Sequence, residues 1–315
     1  MKVGIIGAGA IGGWVAARLA AAGCPVSVLA RGATRKALEA GLVVTESGLS
    51  RQVDVDVADD AAALGAQDLL VIAVKAPALG DAAQAARPMI GPGTVILPML
   101  NGVPWWFATE PLRSIDPDGA IAAALPLPQV VGCVVHAACR REAPAHVVVA
   151  HADKLILGEP GGGAGERVSA LCALFESAGI RCEASDNVRR AAWYKLWGNA
   201  TINPLAALTR ATADRLLAEP HLRAFMAEAM AELSAVGAAF DCPIAESSEE
   251  RMAVTARLGS FKPSMLQDVE ASRAIELEAL LGAPRELGRR AGVPTPKLDL
   301  LYAMTREMAA NLRLL

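Results

Sequence analysis

One lysine and two asparagines, Lys195, Asn199 and Asn203, recur at four-residue intervals just ahead of Pro204. If residues 187–203 are helical, each such step advances the chain only about 40° beyond a full turn, so the three side chains form one polar ladder on a single face. A cation and two amides in a row, beside Trp193, Leu196 and Trp197, suit recognition of a carboxylate and a carbonyl, because the lysine brings charge and the amides bring both donors and acceptors. A solvated polar face would show the same spacing. Pro204, lacking an N–H, is expected to limit or kink the helix.

A second constellation, Gly7-Ala8-Gly9-Ala10-Ile11-Gly12, lies near the N-terminus between an apolar run at 2–6 and a helix-like run at 11–22 that Gly23 closes; residues 25–29 then read as another strand. Strand, glycine-rich turn, helix and strand in that order are the context a dinucleotide-binding turn requires. Gly7 permits the tight turn, Gly9 lets backbone approach a pyrophosphate, and Gly12 lets the helix pack on the strand, while Ala8, Ala10 and Ile11 complete a helix N-terminus that favours phosphate. At the end of the second strand stands Arg31, where NAD enzymes usually carry an acidic residue. A carboxylate there would repel a 2′-phosphate, whereas an arginine can pair with it through charge-assisted hydrogen bonds of about 1.5–3 kcal/mol, so NADPH/NADP is favoured over NAD.

These residues need a sheet to position them. Further parallel strands are expected at 69–74 and 94–97, and ligands bind outside the carboxyl ends of such strands. That points to Lys75 for a phosphate and to Asn101, of the pair Asn101-Gly102, for the surroundings of nicotinamide and substrate, the alternatives being a solvated lysine and simple Asn-Gly turn chemistry. Short β-branched runs between 130 and 157 predict antiparallel strands extending the sheet, followed by a glycine loop at 161–163, a helix over 168–178 and a strand over 180–183. The expected architecture is an α/β Rossmann-type N-terminal domain with a mostly parallel sheet, residues 1–185, followed by an all-α domain, residues 186–315, for substrate binding and dimerisation.

Composition agrees with this division. At 315 residues, 53% of them hydrophobic, the chain can fill two cores. Its 30 basic and 33 acidic residues give a net charge of −3, and the absence of a basic run argues against a nucleic-acid partner and for a small molecule. Six scattered cysteines without a C-x-x-C pair and four histidines without ligand spacing are read as reduced, mostly buried thiols and as no metal site. Glycines interrupt the N-terminal apolar run, which otherwise resembles a signal peptide, and Pro126, Pro128 and Gln129 break the apolar stretch at 120–139. The expectation is therefore a cytoplasmic protein with no membrane association. Leu222, Phe225, Met226, Met230, Leu233 and Val236 lie on more than one face of a helix around 216–240, and such a helix is buried in its own domain or in a homodimer interface.

Together these residues resemble the ketopantoate reductase (2-dehydropantoate 2-reductase) family of the 6-phosphogluconate-dehydrogenase-like superfamily, over nearly the whole chain. The resemblance rests on Gly7-x-Gly-x-x-Gly12, Arg31, Lys75, Asn101-Gly102, the Lys195, Asn199, Asn203 and Pro204 series, and Ser264-Met-Leu-Gln-Asp268 followed by Glu276. It implies NADPH-dependent reduction of the 2-oxo acid 2-dehydropantoate to pantoate, a step of pantothenate biosynthesis. It further implies that Lys195 is the general acid and that Glu276 orients it and contacts the substrate. Asn199, Asn203 and Ser264 then hold the substrate's hydroxyl and carboxylate groups, and Asn101 bridges substrate and nicotinamide. Locally, Ser264 could instead cap the following helix, and Glu276 could lie on a solvated face with Glu270 and Glu278. One departure is the bulky run Trp105-Trp106-Phe107 after Asn101-Gly102, which either reshapes the pocket for another 2-oxo acid or serves packing. A related dehydrogenase or imine reductase acting on another small acid, and a non-catalytic NADP-sensing regulator, are the alternative functions.

Overall fold

The N-terminal apolar run forms strand β1 (Val3–Ile6), and all four of its residues are buried, as a parallel strand covered on both faces requires. Its successors in the chain are β2 (Val26–Leu29), β3 (Leu42–Glu46), β4 (Leu49–Val53), β5 (Asp56–Ala58), β6 (Leu69–Ile72), β7 (Val95–Pro98), β8 (Gly132–Ala143), β9 (His146–Gly158) and β10 (Cys182–Ala184). The computed structural model describes residues 1–315. Its chain divides into one unit of Met1–Leu100 with Gly119–Arg189, and a second of Asn101–Asp118 with Arg190–Leu315.

The first unit holds a wholly parallel sheet in the order β5-β2-β1-β6-β7. The chain builds outward from β1 through β2 to β5, then crosses back to β6 on the other side of β1. That reversal places a switch point between β1 and β6, where a crevice opens beyond the strand ends. The helix Ala10–Ala21 follows β1 and buries Trp14, Val15, Ala16, Ala17 and Leu19; Gly23, at φ 82°, lets the chain turn away after it.

The strands between 130 and 157 differ from expectation. Rather than extending the parallel sheet, β8 and β9 form a long antiparallel hairpin in a second sheet. One edge of β9 is occupied by β8 and the other by β3 and β10, and a lone bridge from Ile96 to Val130 is the link to β7. A strand of 13 residues offers the hairpin far more ladder than the four residues of β7, so the pairing goes there.

All six cysteines are free, and four of them are buried. Burial pushes the Cys139 thiol up to about 12, with a smaller contribution from Glu46, and burial raises Cys182 likewise. Since the folded chain holds these protons more tightly than the unfolded one, the associated stability is complete below the unfolded thiol value of about 8.5 and is lost as pH climbs through the folded one. A disulfide reagent at pH about 8 is therefore expected to label the buried Cys182 only as fast as the chain opens, and the partly buried Cys139 slowly. Prompt labelling of the native protein would contradict it.

The second unit is built from helices plus the irregular Asn101–Asp118 segment, which the sequence reading leaves in the first domain. The reason is burial: Val103, Phe107 and Leu112 join the core of the second unit. The helix Val188–Thr209 also runs past Pro204, so the proline does not end it. Its last turns bury Leu205, Ala206 and Ala207, and that burial offsets the hydrogen bond the proline cannot make. Along Pro220–Ala239 the residues Met226, Met230, Leu233 and Val236 are buried in their own unit's core, with Leu222 and Phe225 packed against it. No helix is long and apolar enough to cross a membrane.

Candidate active site

In the first unit the glycine turn has the shape its sequence asks for. Gly7 follows β1 at φ 99°, and a Cβ there would come 2.6 Å from the carbonyl oxygen of Ala73. At Gly12 a Cβ would sit 2.1 Å from the Gly7 oxygen, so the helix can start against the turn only with glycine at both positions. Gly9 caps the helix without a side chain, and a Cβ on it would meet nothing within 4 Å. The turn residues Ala8, Ala10 and Ile11 are partly exposed around this opening. Space in front of Gly9, backed by the first N–H groups of a helix, is what a pyrophosphate requires, and the residues present fit a dinucleotide.

Lys75 sits just beyond β6, partly buried at the start of the 3₁₀ turn Ala76–Ala78. Because β6 lies beside β1, Lys75 and the glycine turn flank the same switch point. Arg31 stands past the end of β2, exposed at the start of the helix Gly32–Glu39. One turn later Arg35 is occupied by Glu39, through a 2.9 Å hydrogen bond, and by Asp59.

In the second unit Lys195, Asn199 and Asn203 lie on one helix, Val188–Thr209. Trp193 and Trp197 donate from their indole nitrogens to the carbonyls of Leu233 and Met230, at 3.1 and 2.8 Å, which fastens one side of Val188–Thr209 to Pro220–Ala239. Gly237 makes room for Trp193, since a Cβ there would lie 2.1 Å from the indole nitrogen. Residues two positions further along a helix point about 200° away, so Lys195 and Asn199 face away from that seam.

Lys195 Nζ donates to Asn101 Oδ1 at 2.8 Å, and Asn101 Nδ2 donates to Glu276 Oε2 at a longer 3.4 Å. The amide thus lies with its carbonyl toward the cation and its N–H toward the carboxylate. Asn203 is buried and donates to Ser264 Oγ at 3.3 Å. Asn199, half-buried on the same helix, shares no hydrogen bond with the other members. Glu276 is 5% exposed, unlike Glu270 and Glu278, so it does not lie on a solvated face. Ser264 is exposed and makes no capping bond; Pro263 occupies the cap position.

Several local devices hold this cluster. Gly102 adopts φ 78°, and a Cβ on it would lie 2.4 Å from the Ala279 oxygen; Val103 N donates to that same oxygen at 2.8 Å. Asn101 is thereby clamped beside the chain that carries Glu276. The turn Glu278–Gly282 just after Glu276 is π-helical, a distortion that recurs at functional sites. Buried Asp268 accepts from Arg273 Nε at 3.1 Å, tying down the loop that leads from the Ser264–Glu270 helix to Glu276. Sequence reasoning missed the clamp at Ala279, although the Asn-Gly pair is a turn signal. It also missed that the chain enters the second unit at Asn101. The arrangement can bind a carboxylate or carbonyl and deliver a proton from Lys195.

The model of the family "Ketopantoate reductase PanE/ApbA" matches residues 3–162, and that of its C-terminal part matches residues 187–309. A 2-dehydropantoate 2-reductase of Mesorhizobium japonicum is 38% identical, covering 99% of this chain and 98% of its own. Among solved structures, a protein of Ralstonia solanacearum MolK2 assigned to the ketopantoate reductases has a TM-score of 0.97 at 46% identity, covering 100% of this chain and 99% of the other. The 2-dehydropantoate 2-reductase of Methylococcus capsulatus has a TM-score of 0.86 at 30% identity, with 99% and 98% covered.

Proposed function

The chain belongs to the ketopantoate reductase family, and we propose that it reduces a 2-oxo acid, 2-dehydropantoate, to the 2-hydroxy acid pantoate with NADPH as reductant. The observation that carries this reading is the Lys195–Asn101–Glu276 relay, because a purely sensory protein needs no oriented proton donor.

When bound, a reduced nicotinamide supplies hydride to the ketone carbon. Negative charge then builds on the ketone oxygen, and Lys195 gives it a proton from Nζ, an effect worth about 10²–10⁴ in rate. Asn101 fixes where Nζ points by accepting one of its protons. Glu276, buried and one amide removed from the lysine, holds that amide in register and contacts the substrate. Asn199, Asn203 and Ser264 hold the carboxylate and hydroxyl groups. On the first unit, Gly7–Gly12 hold the pyrophosphate through backbone, Lys75 meets phosphate, and Arg31 meets the 2′-phosphate. The last role is supported by Arg35 being taken up by Glu39 and Asp59 while Arg31 stands exposed.

The test is NADPH oxidation with 2-dehydropantoate, repeated with NADH and with Arg31→Ala. Turnover with NADPH is expected, with the NADPH-over-NADH preference in kcat/KM falling about ten- to a hundredfold in the variant. An unchanged preference would sink the assignment of Arg31. A protein that binds NADPH yet leaves 2-dehydropantoate untouched would move the reading to another 2-oxo acid or an imine.

A further inference from the structure

The clamp beside Asn101 depends on a helix carbonyl that the helix itself leaves open, since Val103 N donates to Ala279 O at 2.8 Å. In an α-helix that oxygen accepts from the N–H four residues further on, here at Ala283. In the wider π turn Glu278–Gly282 each N–H reaches back five residues instead. Ala283 N accordingly donates to Glu278 O, and the helical donor for Ala279 O would have to come from residue 284. That residue is Pro284, which has no N–H. Ala279 is buried, and a buried carbonyl ordinarily finds a partner. The donor it meets comes from outside the helix, from the segment that starts at Asn101.

The surrounding side chains hold the turn in this wide register. A Cβ on Gly282 would collide with the Glu278 carboxylate, so glycine is what lets that carboxylate fold back over the turn. Glu278 Oε1 in turn accepts from Tyr302 Oη at 2.6 Å, which fastens the turn to the helix Pro296–Leu312. Arg285 lies over the Tyr302 ring, 4.0 Å from its centroid. Pro284 is buried in the first turn of the helix Ala283–Ala291, a position where proline is tolerated. Continued as a regular α-helix through Leu280, the chain would bring the proline ring against the Leu280 carbonyl, four residues back. Glycine at 282 and proline at 284 thus both favour the π turn over the α turn.

We propose that Pro284 is a positioning residue: by withholding one N–H it keeps the Ala279 carbonyl open to Val103, and so sets the Asn101 amide between Lys195 and Glu276. Pro284 acts through Ala279, Val103 and Asn101, and no contact with substrate or cofactor is assigned to it. Its kinetic consequence rests on the 2-oxo acid reading, whereas its effect on the Val103 hydrogen bond does not. An alanine at 284 would bring back an N–H five residues beyond Ala279, and without the ring the α register would also be open, in which Ala283 N reaches the same oxygen. In either register the helix then competes with Val103 for one carbonyl. Asn101, two residues before Val103, loses its fixed distance to Lys195 Nζ, now 2.8 Å, and to Glu276 Oε2, now 3.4 Å.

The test compares Pro284→Ala with a full-length semisynthetic protein carrying N-methylalanine at 284, which lacks both the ring and the N–H. Two readouts are taken: kcat/KM with NADPH and 2-dehydropantoate, and amide exchange at Val103, followed by NMR on protein isotope-labelled at valine. Pro284→Ala is expected to lose about tenfold in kcat/KM, less than the factor of about 10² that a full ångström of misplacement can cost. Its Val103 N–H is expected to exchange about tenfold faster. The thermal midpoint is expected not to fall, because alanine is the better helix former. With N-methylalanine both readouts return to those of the unsubstituted protein. Unchanged Val103 exchange in Pro284→Ala, faster exchange with unchanged kinetics, or an equal loss with N-methylalanine overturns the proposal. If the unsubstituted protein reduces no 2-oxo acid, the functional reading falls, and Val103 exchange in the two variants alone decides whether Pro284 keeps the carbonyl open.

Discussion

Replacing Lys195 with alanine is expected to lower kcat/KM for 2-dehydropantoate by about 10²–10⁴-fold, the usual worth of a positioned proton donor. Lys195 is the cation that Asn101 and Glu276 are arranged around, through contacts of 2.8 and 3.4 Å. Without it the alkoxide must take its proton from water, which is neither positioned nor charged. NADPH affinity is expected to stay near that of the unsubstituted enzyme, because the residues proposed to hold it, the glycine turn, Arg31 and Lys75, belong to the other unit. Steady-state NADPH oxidation together with fluorescence titration of NADPH separates the two effects. A variant that retains most of its activity would remove Lys195 from the chemistry altogether.

The second large effect is expected from Gly102→Ala. The residue sits at φ 78° with the Ala279 oxygen 2.4 Å from where a Cβ would be. A non-glycine residue in the left-handed region costs roughly 1–2 kcal/mol, and here the obstacle is backbone that cannot swing aside like a flexible side chain. The segment must therefore lift off Ala279, carrying Asn101 with it. A misplacement of about 1 Å in a positioning group can cost about 10²-fold in rate, so kcat/KM is expected to fall by about that factor. Thermal unfolding of the variant is expected to begin earlier, while NADPH binding is little changed. Normal kinetics in Gly102→Ala would mean that the clamp has no part in placing Asn101.

The first unit is legible in sequence wherever one local rule decides. Fully buried parallel strands such as Val3–Ile6 and Leu69–Ile72 read as unbroken apolar runs, and the glycines at 7 and 12 are demanded by contacts of the turn itself. The β3–β4 hairpin escapes such a reading, because every residue of the strand Leu49–Val53 but the last is exposed and the run carries no apolar alternation. Its signal is the two-residue loop Ser47-Gly48, both at positive φ, 51° and 77°, which is the geometry that closes tight hairpins. The relay is only half legible. The four-residue spacing of Lys195, Asn199 and Asn203 puts them on one helix, but nothing local to Asn101 says that it meets Lys195 across 94 residues of chain and Glu276 across 175. Such long-range meetings are set by packing, here by Val103, Phe107 and Trp193 in one core. The extent of the Lys195 helix is hidden for the same reason: tertiary burial beyond Pro204 outweighs the local penalty.

The passage of Asn101–Asp118 into the second unit, between two stretches of the first, also bears on how the chain matures. During synthesis this segment leaves the ribosome long before the helices it packs against, so Val103, Phe107 and Leu112 remain without their core until residues beyond Arg190 arrive. A fragment ending at 185 would carry Val103, Phe107 and Leu112 without the core they join, and one beginning at 186 would lack Asn101. Lys195 and the Asn101 amide that it bonds are therefore inherited together, because the core formed around the Lys195 helix is incomplete without the segment that begins at Asn101.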